Sequence, residues 1–147
     1  MKKLFLSLVV AMLVILPIMA DNDKIITREE LPEKAQIFLT KHFADVEVLY
    51  AKAERDMGVI TSYDVVLDGN VKVEFNRSGE WINVDCEHSQ VPVEIIPTAI
   101  QKYVAEHYPQ TKVVKIELTD HKGYDVELDN GFELEFDKRM RVKDIDR

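Results

Sequence analysis

Cysteine is nearly missing from this 147-residue chain. The single Cys86 has no partner for an internal disulfide, so the fold has to rest on its core. Cys86 sits in "VDCEH", between Asp85 and Glu87. Two flanking acids disfavour a thiolate, which excludes the usual nucleophile. Glycine is scarce as well. Five residues, dispersed along the chain, leave no glycine-rich loop to cradle a phosphate. His42, His88, His107 and His121 are scattered, with no His-Glu-x-x-His run and no cysteine cluster for zinc. Ser62, Ser78 and Ser89 lack patterned His and Asp partners. Glu127 and Glu135 are the one carboxylate pair that could share a proton. The sequence therefore predicts no enzyme, no catalytic residue and no cofactor.

What is present begins with a targeting pattern. Lys2 and Lys3 lead into "LFLSLVVAMLVILPIMA", and the first acid follows at Asp21. A basic start, a long apolar stretch and small Ala20 read as a signal peptide over residues 1–20. The apolar run is slightly short for a membrane span. Export to the periplasm or beyond is expected, without a membrane anchor after cleavage. Removing those residues leaves 17 bases against 27 acids, a net charge of −10. Such a balance repels nucleic acid and anionic lipid and suits a cationic partner.

The chain then writes one pattern twice. Residues 31–52 match 96–117 at an offset of 65, and residues 63–85 match 124–146 at an offset of 61. Of these 45 aligned positions 12 are identical, among them Pro32 with Pro97, Gln36 with Gln101 and His42 with His107. A period near 60 residues gives each copy the size of a small domain. The expected division is residues 21–88 and 89–147, joined by the short polar linker "CEHSQVPVE".

Each copy opens with a helix. Pro32 and Pro97 suit the first turn. Leu31, Ala35, Phe38, Leu39 and Phe43 recur at helical spacing, as do Ile96, Ile100, Tyr103, Val104 and Tyr108. The predicted helices cover residues 32–43 and 97–108. His42 and His107 fall in the last turns, where a cation meets the helix dipole favourably.

After each helix the period changes to two. Leu49, Ala51 and Ala53 share a face, as do Val114, Ile116 and Leu118. "YDVVLDGNVKVEF" from Tyr63 and "YDVELDNGFELEF" from Tyr124 then encode matching hairpins. Leu128 and Phe132 both face inward, which leaves Asp129, Asn130 and Gly131 as a three-residue loop with Gly131 left-handed. Asp68, Gly69 and Asn70 fill the matching loop, with Asn70 left-handed. "EWINVD" and "RVKDID" supply a fourth strand each. The expected fold is α+β: two tandem units, each one helix packed on a four-stranded antiparallel sheet.

The outer faces differ between copies. The second presents Asp125, Glu127, Glu133 and Glu135, where like charges oppose across strands. The first has Asp64, Val66, Lys72 and Glu74 instead. An acidic face with Val66 and Trp81 as apolar anchors would serve a protein or peptide partner. Whether Trp81 faces the core is left open by phase. Asp68, Asp129 and Asn130 offer oxygens to calcium, without the spacing of a twelve-residue calcium loop.

The helix, the "YDVxL" and "xxEF" strands and the closing strand resemble the PepSY-like family. The signature is Pro32, Tyr63, Asp64, Val65, Leu67, Glu74 and Phe75, repeated as Pro97, Tyr124, Asp125, Val126, Leu128, Glu135 and Phe136. The tandem in an exported acidic chain is similar to the beta-lactamase-inhibitor-like, PepSY-like proteins of Bacteroides-type bacteria. That resemblance implies a periplasmic or secreted, non-catalytic domain that binds or inhibits a protein partner. The alternative it implies is an envelope structural or accessory protein, calcium-responsive, without a discrete ligand.

Overall fold

A computed structural model describes residues 23–147. The expected signal peptide, residues 1–20, lies outside the described residues. The two helices form where the prolines predict. The Pro32 carbonyl accepts the N–H groups of Ala35 and Gln36 at 2.9 and 3.1 Å, and α1 runs Glu33–His42. The Pro97 carbonyl does the same for Ile100 and Gln101, and α2 runs Thr98–His107. The repeated glutamine also gains a reason. Gln36 Nε2 donates to the Leu31 carbonyl at 2.8 Å, and Gln101 Nε2 to the Ile96 carbonyl at 2.7 Å. Each side chain ties its helix back to the turn before it, satisfying carbonyls outside the helix ladder.

Among the described residues nine strands follow chain order in one antiparallel sheet. They are β1 Lys24–Ile26, β2 Val48–Asp56, β3 Val59–Leu67, β4 Val71–Asn76, β5 Trp81–Asp85, β6 Val113–Leu118, β7 Tyr124–Leu128, β8 Glu133–Phe136 and β9 Val142–Asp146. The α+β class and the single helix per copy agree with the sequence. The two separate four-stranded sheets do not form. β5 of the first copy pairs with β6 of the second, Val84 opposite Ile116, and the linker extends the ladder through Cys86 N–H to the Val114 carbonyl at 2.8 Å. An unpaired edge on each copy would expose a row of backbone donors and acceptors, and joining the two removes both edges at once. β1 was not expected. Its three residues pair with Ala51, Lys52 and Ala53 and add a strand that the second copy lacks.

One face of this sheet is apolar along its whole width. Ile26, Ala51, Val65, Val73, Val84, Ile116, Val126, Leu134 and Ile145 stand opposite one another from strand to strand. Both helices cover that side. Phe38 of α1 meets Phe75 edge-on at 5.5 Å and 84°, and Tyr103 of α2 meets Phe136 at 5.5 Å and 88°. The two helix–sheet contacts match in distance and angle.

The hairpin loops form as phase requires. Leu128 N–H donates to the Phe132 carbonyl at 2.9 Å and Gly131 has φ +85. Leu67 faces Val71, and Asn70 is left-handed at φ +61. One position departs from the expected alternation: Leu49 is exposed instead of facing the core. Leu118 keeps the phase of Ile116, opposite Tyr124, and is exposed at the end of its strand. A register shift between Val48 and Tyr50 turns Leu49 outward, because a bulge changes the side on which the next residue lands. A like shift falls between Val113 and Lys115, where both Val113 and Val114 are buried.

Candidate functional site

The face away from the helices carries the second row of the pleat. Crossing from β2 to β9 it reads Lys52, Asp64, Glu74, Asn83, Glu117, Asp125, Glu135 and Asp144. Six of these eight are carboxylates, set opposite one another on adjacent strands, which stand about 4.8 Å apart. The neighbouring row holds Tyr50, Val66, Lys72, Asp85, Lys115, Glu127, Glu133 and Asp146. The sheet join therefore extends the acidic patch predicted for the second copy into a row that crosses both copies.

Lysines hold the two ends of that row. Lys52 Nζ lies 2.9 Å from Glu54, 3.1 Å from Asp23 and 3.4 Å from Asp64. Its hydrogen bonds to Glu54 and Asp23 push its pKa well up. Lys143 pairs with Glu135 at the other end, and that bond raises the lysine in turn. The middle has less relief. Burial raises the Glu74 carboxyl, with the charges of Asp64, Glu54 and Glu117 adding to it. Burial also raises Asp64, helped by Glu54, and raises Asp125, helped by Glu135 and Glu117. Asn83 Oδ1, between Glu74 and Glu117 in the row, is sealed from solvent without a hydrogen bond. Asp125, Glu133, Glu135, Asp144 and Asp146 line a shallow cavity of about 180 Å³. Glu127 lines the adjoining one with Lys115. Among the described residues no group of three or more His, Cys, Asp or Glu side chains could hold a metal ion.

The predicted site residues separate into those the fold gathers and those it does not. Asp125, Glu127, Glu133 and Glu135 share the open face, Glu127 opposite Glu133 and Asp125 opposite Glu135. Glu127 and Glu135 are diagonal, not directly paired. Val66 is also on this face, opposite Tyr50 and Lys72. Trp81 is not. It pairs with Phe75 on the helix side, its ring 6.4 Å from Phe38 and 6.4 Å from Tyr124. Trp81 and Val66 therefore cannot form one anchor. Exposed Tyr50 is the residue that stands opposite Val66. The pattern "VLYAK" was a strand signal that hid Tyr50, since the bulge decides its side.

The calcium candidates are used by their own turns. Asp68 Oδ1 accepts the Gly69 N–H at 2.9 Å, Asp129 Oδ1 the Lys112 N–H at 3.0 Å, and Asn130 Oδ1 the Phe132 N–H at 3.2 Å. Cys86 is buried, and burial with the Asp85 charge raises its thiol to about 11. His42 is held below its usual value by burial and Lys41, against a small opposing pull from Glu94. His107 stacks on Tyr103 at 4.0 Å and bonds its carbonyl through Nδ1 at 3.0 Å.

Residues 61–144 match the family described as "Putative beta-lactamase-inhibitor-like, PepSY-like". The chain belongs to this PepSY-like family. Three crystal structures of Bacteroides proteins resemble most of the PepSY-like chain. A putative periplasmic protein of the DUF2874 family from Bacteroides vulgatus is 46% identical, covering 87% of this chain and 99% of its own, with TM-score 0.81. A putative calcium-regulated periplasmic protein from Bacteroides thetaiotaomicron is 48% identical, covering 85% and 97%, with TM-score 0.79. A second putative periplasmic protein from Bacteroides vulgatus, of unknown function, is 39% identical, covering 85% and 99%, with TM-score 0.78. No curated protein matches the chain. With these relatives and its N-terminal sequence, the PepSY-like chain is a periplasmic or secreted protein. No helix among the described residues is long and apolar enough to cross a membrane.

Proposed function

We propose that this PepSY-like chain is a non-catalytic accessory protein of the cell envelope whose acidic sheet face takes up cations, calcium foremost. The observation that carries this reading is the carboxylate row from Asp64 to Asp144, neutralised by lysine at its ends and under-compensated in its middle. Hard divalent cations prefer such oxygens. Spread along a pleat, the acids favour loosely held counter-ions over one closed coordination shell. The description of one relative as calcium-regulated supports the choice of ion. Thermal melting tests it. Millimolar calcium raises the melting temperature of the wild type above what sodium chloride of equal ionic strength gives, and Asp125→Asn with Glu135→Gln shrinks the difference. Equal effects of the two salts would sink the reading.

A second reading has its own support. The open face joins charge to an apolar corner of Tyr50, Val66 and Ile25, two of them largely exposed. A cationic protein or peptide would find steering and an anchor there, in keeping with the inhibitor likeness in the family's description. This reading predicts a partner retained from periplasmic extract at low salt, lost at high salt, and lost in Glu127→Lys with Glu133→Lys. Retention unchanged by that double substitution would exclude this face.

A further inference from the structure

An acidic chain has gathered bases at one end of its second copy. The loop of residues 119–123 and the turn of residues 137–141 enclose an open cavity of about 590 Å³. His121, Lys138, Arg139, Arg141 and Lys143 line it, with Glu135 and Asp137 the acids among its walls. Both acids are engaged. Asp137 Oδ2 accepts from Arg141 Nε at 2.8 Å and Nη2 at 2.7 Å, and Glu135 pairs with Lys143. Lys138 and Arg139 are exposed and enter no ion pair among the described residues.

The walls are built rigidly. Asp137 Oδ1 accepts the N–H groups of Arg139 and Arg141 at 2.8 and 3.0 Å, which closes the turn. Thr119 closes the facing loop, its Oγ1 accepting the Gly123 N–H at 3.0 Å. Gly123 is buried against β8, where a Cβ would collide with the Phe136 carbonyl oxygen.

The first copy shows that the fold does not require these charges. There Asn76 Oδ1 accepts the N–H groups of Ser78 and Glu80 at 3.0 and 3.1 Å and builds the same turn. At matched positions Arg139 stands for Ser78, Arg141 for Glu80 and Lys143 for Ile82. Lys138 stands where the first copy already has Arg77, and Asp137 where it has Asn76, so the turn is kept while its net charge rises from zero to +2.

We propose that this cavity binds a phosphate-bearing small molecule. Arg139 and Lys138 supply the direct contacts, and Arg141, fixed by Asp137, presents its remaining N–H groups. Two unpaired cations match a doubly charged phosphate monoester, and the guanidinium fork matches its oxygens. The volume admits a phosphate together with a group of sugar size. Free phosphate and a phosphate ester share this chemistry, and the choice of probe separates them. Neither depends on the cation reading of the open face: the two sites share the Glu135–Lys143 pair, and the direct contacts proposed here come from Lys138, Arg139 and Arg141.

Amide chemical shifts of the full mature chain, titrated with inorganic phosphate and with glucose 6-phosphate against sodium chloride of equal ionic strength, test the proposal. Expected are saturating shifts confined to residues 119–123 and 137–141, with a Kd on the order of 1 mM for the tighter probe. Tighter binding of the ester assigns the sugar-sized space, and equal binding assigns the anion alone. Arg139→Gln weakens binding about tenfold, Lys138→Glu with Arg139→Glu abolishes it, and Arg77→Glu in the first copy changes nothing. Both cavity substitutions are at exposed turn positions, and unchanged melting confirms their fold. Shifts that never saturate, or that persist in the double variant, overturn the proposal.

Discussion

Trp81 of the first copy and Tyr124 of the second face each other across the join of the sheet, ring centroids 6.4 Å apart and planes tilted by 32°. Tyr124 is the repeat of Tyr63, and Trp81 the repeat of Val142. The contact is thus absent within either copy and arises from their union. Trp81 also touches Phe38, so it links α1 to the second half. Wild type is expected to unfold in one transition. Trp81→Ala should cost about 3 kcal/mol, since truncating a large aromatic leaves a cavity. Urea denaturation followed by far-UV circular dichroism checks both. Two resolved transitions in the wild type would show that the join contributes little.

Gly79 marks where α1 docks. It is left-handed at φ +85, and a Cβ there would lie 2.7 Å from Pro32 Cβ. Gly58 has a like φ of +81 with nothing within 4 Å. Gly79→Ala should therefore cost clearly more than Gly58→Ala, for which the backbone penalty of about 1 kcal/mol stands alone. The difference in denaturation midpoints isolates the collision. Equal losses would mean the helix start yields freely.

The carboxylate row sets an unusual pH response. Asp64, Glu74 and Asp125 have folded pKa values raised above 3.8, 4.5 and 3.8. They bind protons more readily folded than unfolded. Their contribution is complete below those unfolded values and is lost as pH rises through the raised folded ones. Asp137 acts the other way. Its bonds from Arg141 and Arg139 hold it down to about 2, so its contribution is present above 3.8 and lost as pH falls toward 2. His42, lowered from 6.5, opposes them as pH falls below that value. With three carboxyls against one imidazole, stability should rise from neutral pH toward the unfolded Glu value of 4.5 and fall again in stronger acid. Urea midpoints measured across that range report it. Asp64→Asn with Glu74→Gln should flatten the rise and stabilise the protein at neutral pH. A midpoint that falls steadily from neutrality would contradict the row's repulsion.

Much of this was legible in the sequence because repetition reports itself. The helix starts at Pro32 and Pro97, the inward residues Val65, Phe75, Val126 and Phe136, and the loop at Gly131 follow from local phase and turn chemistry. Pairing between copies is not local. Nothing in "WINVD" or "VVKIEL" names the other as its neighbour, so the single sheet and the full acidic row were hidden. The bulges at Leu49 and Val114 move side chains by one step, which periodicity cannot foresee. Trp81 was ambiguous for the same reason, a register shift between Glu74 and Phe75 in its partner strand. The basic cavity had a visible signal in "DKRMR", but only the fold sets that run beside His121.

The most direct test of the cation account is where calcium acts. Backbone amide shifts of the mature protein should be followed during calcium titration at constant ionic strength. The account predicts graded shifts along the row through Asp64, Glu74, Asn83, Glu117, Asp125, Glu135 and Asp144, crossing the join of the two copies. Shifts confined to the hairpin tips at Asp68 and Asp129–Asn130, or no shifts beyond those given by sodium, would contradict it.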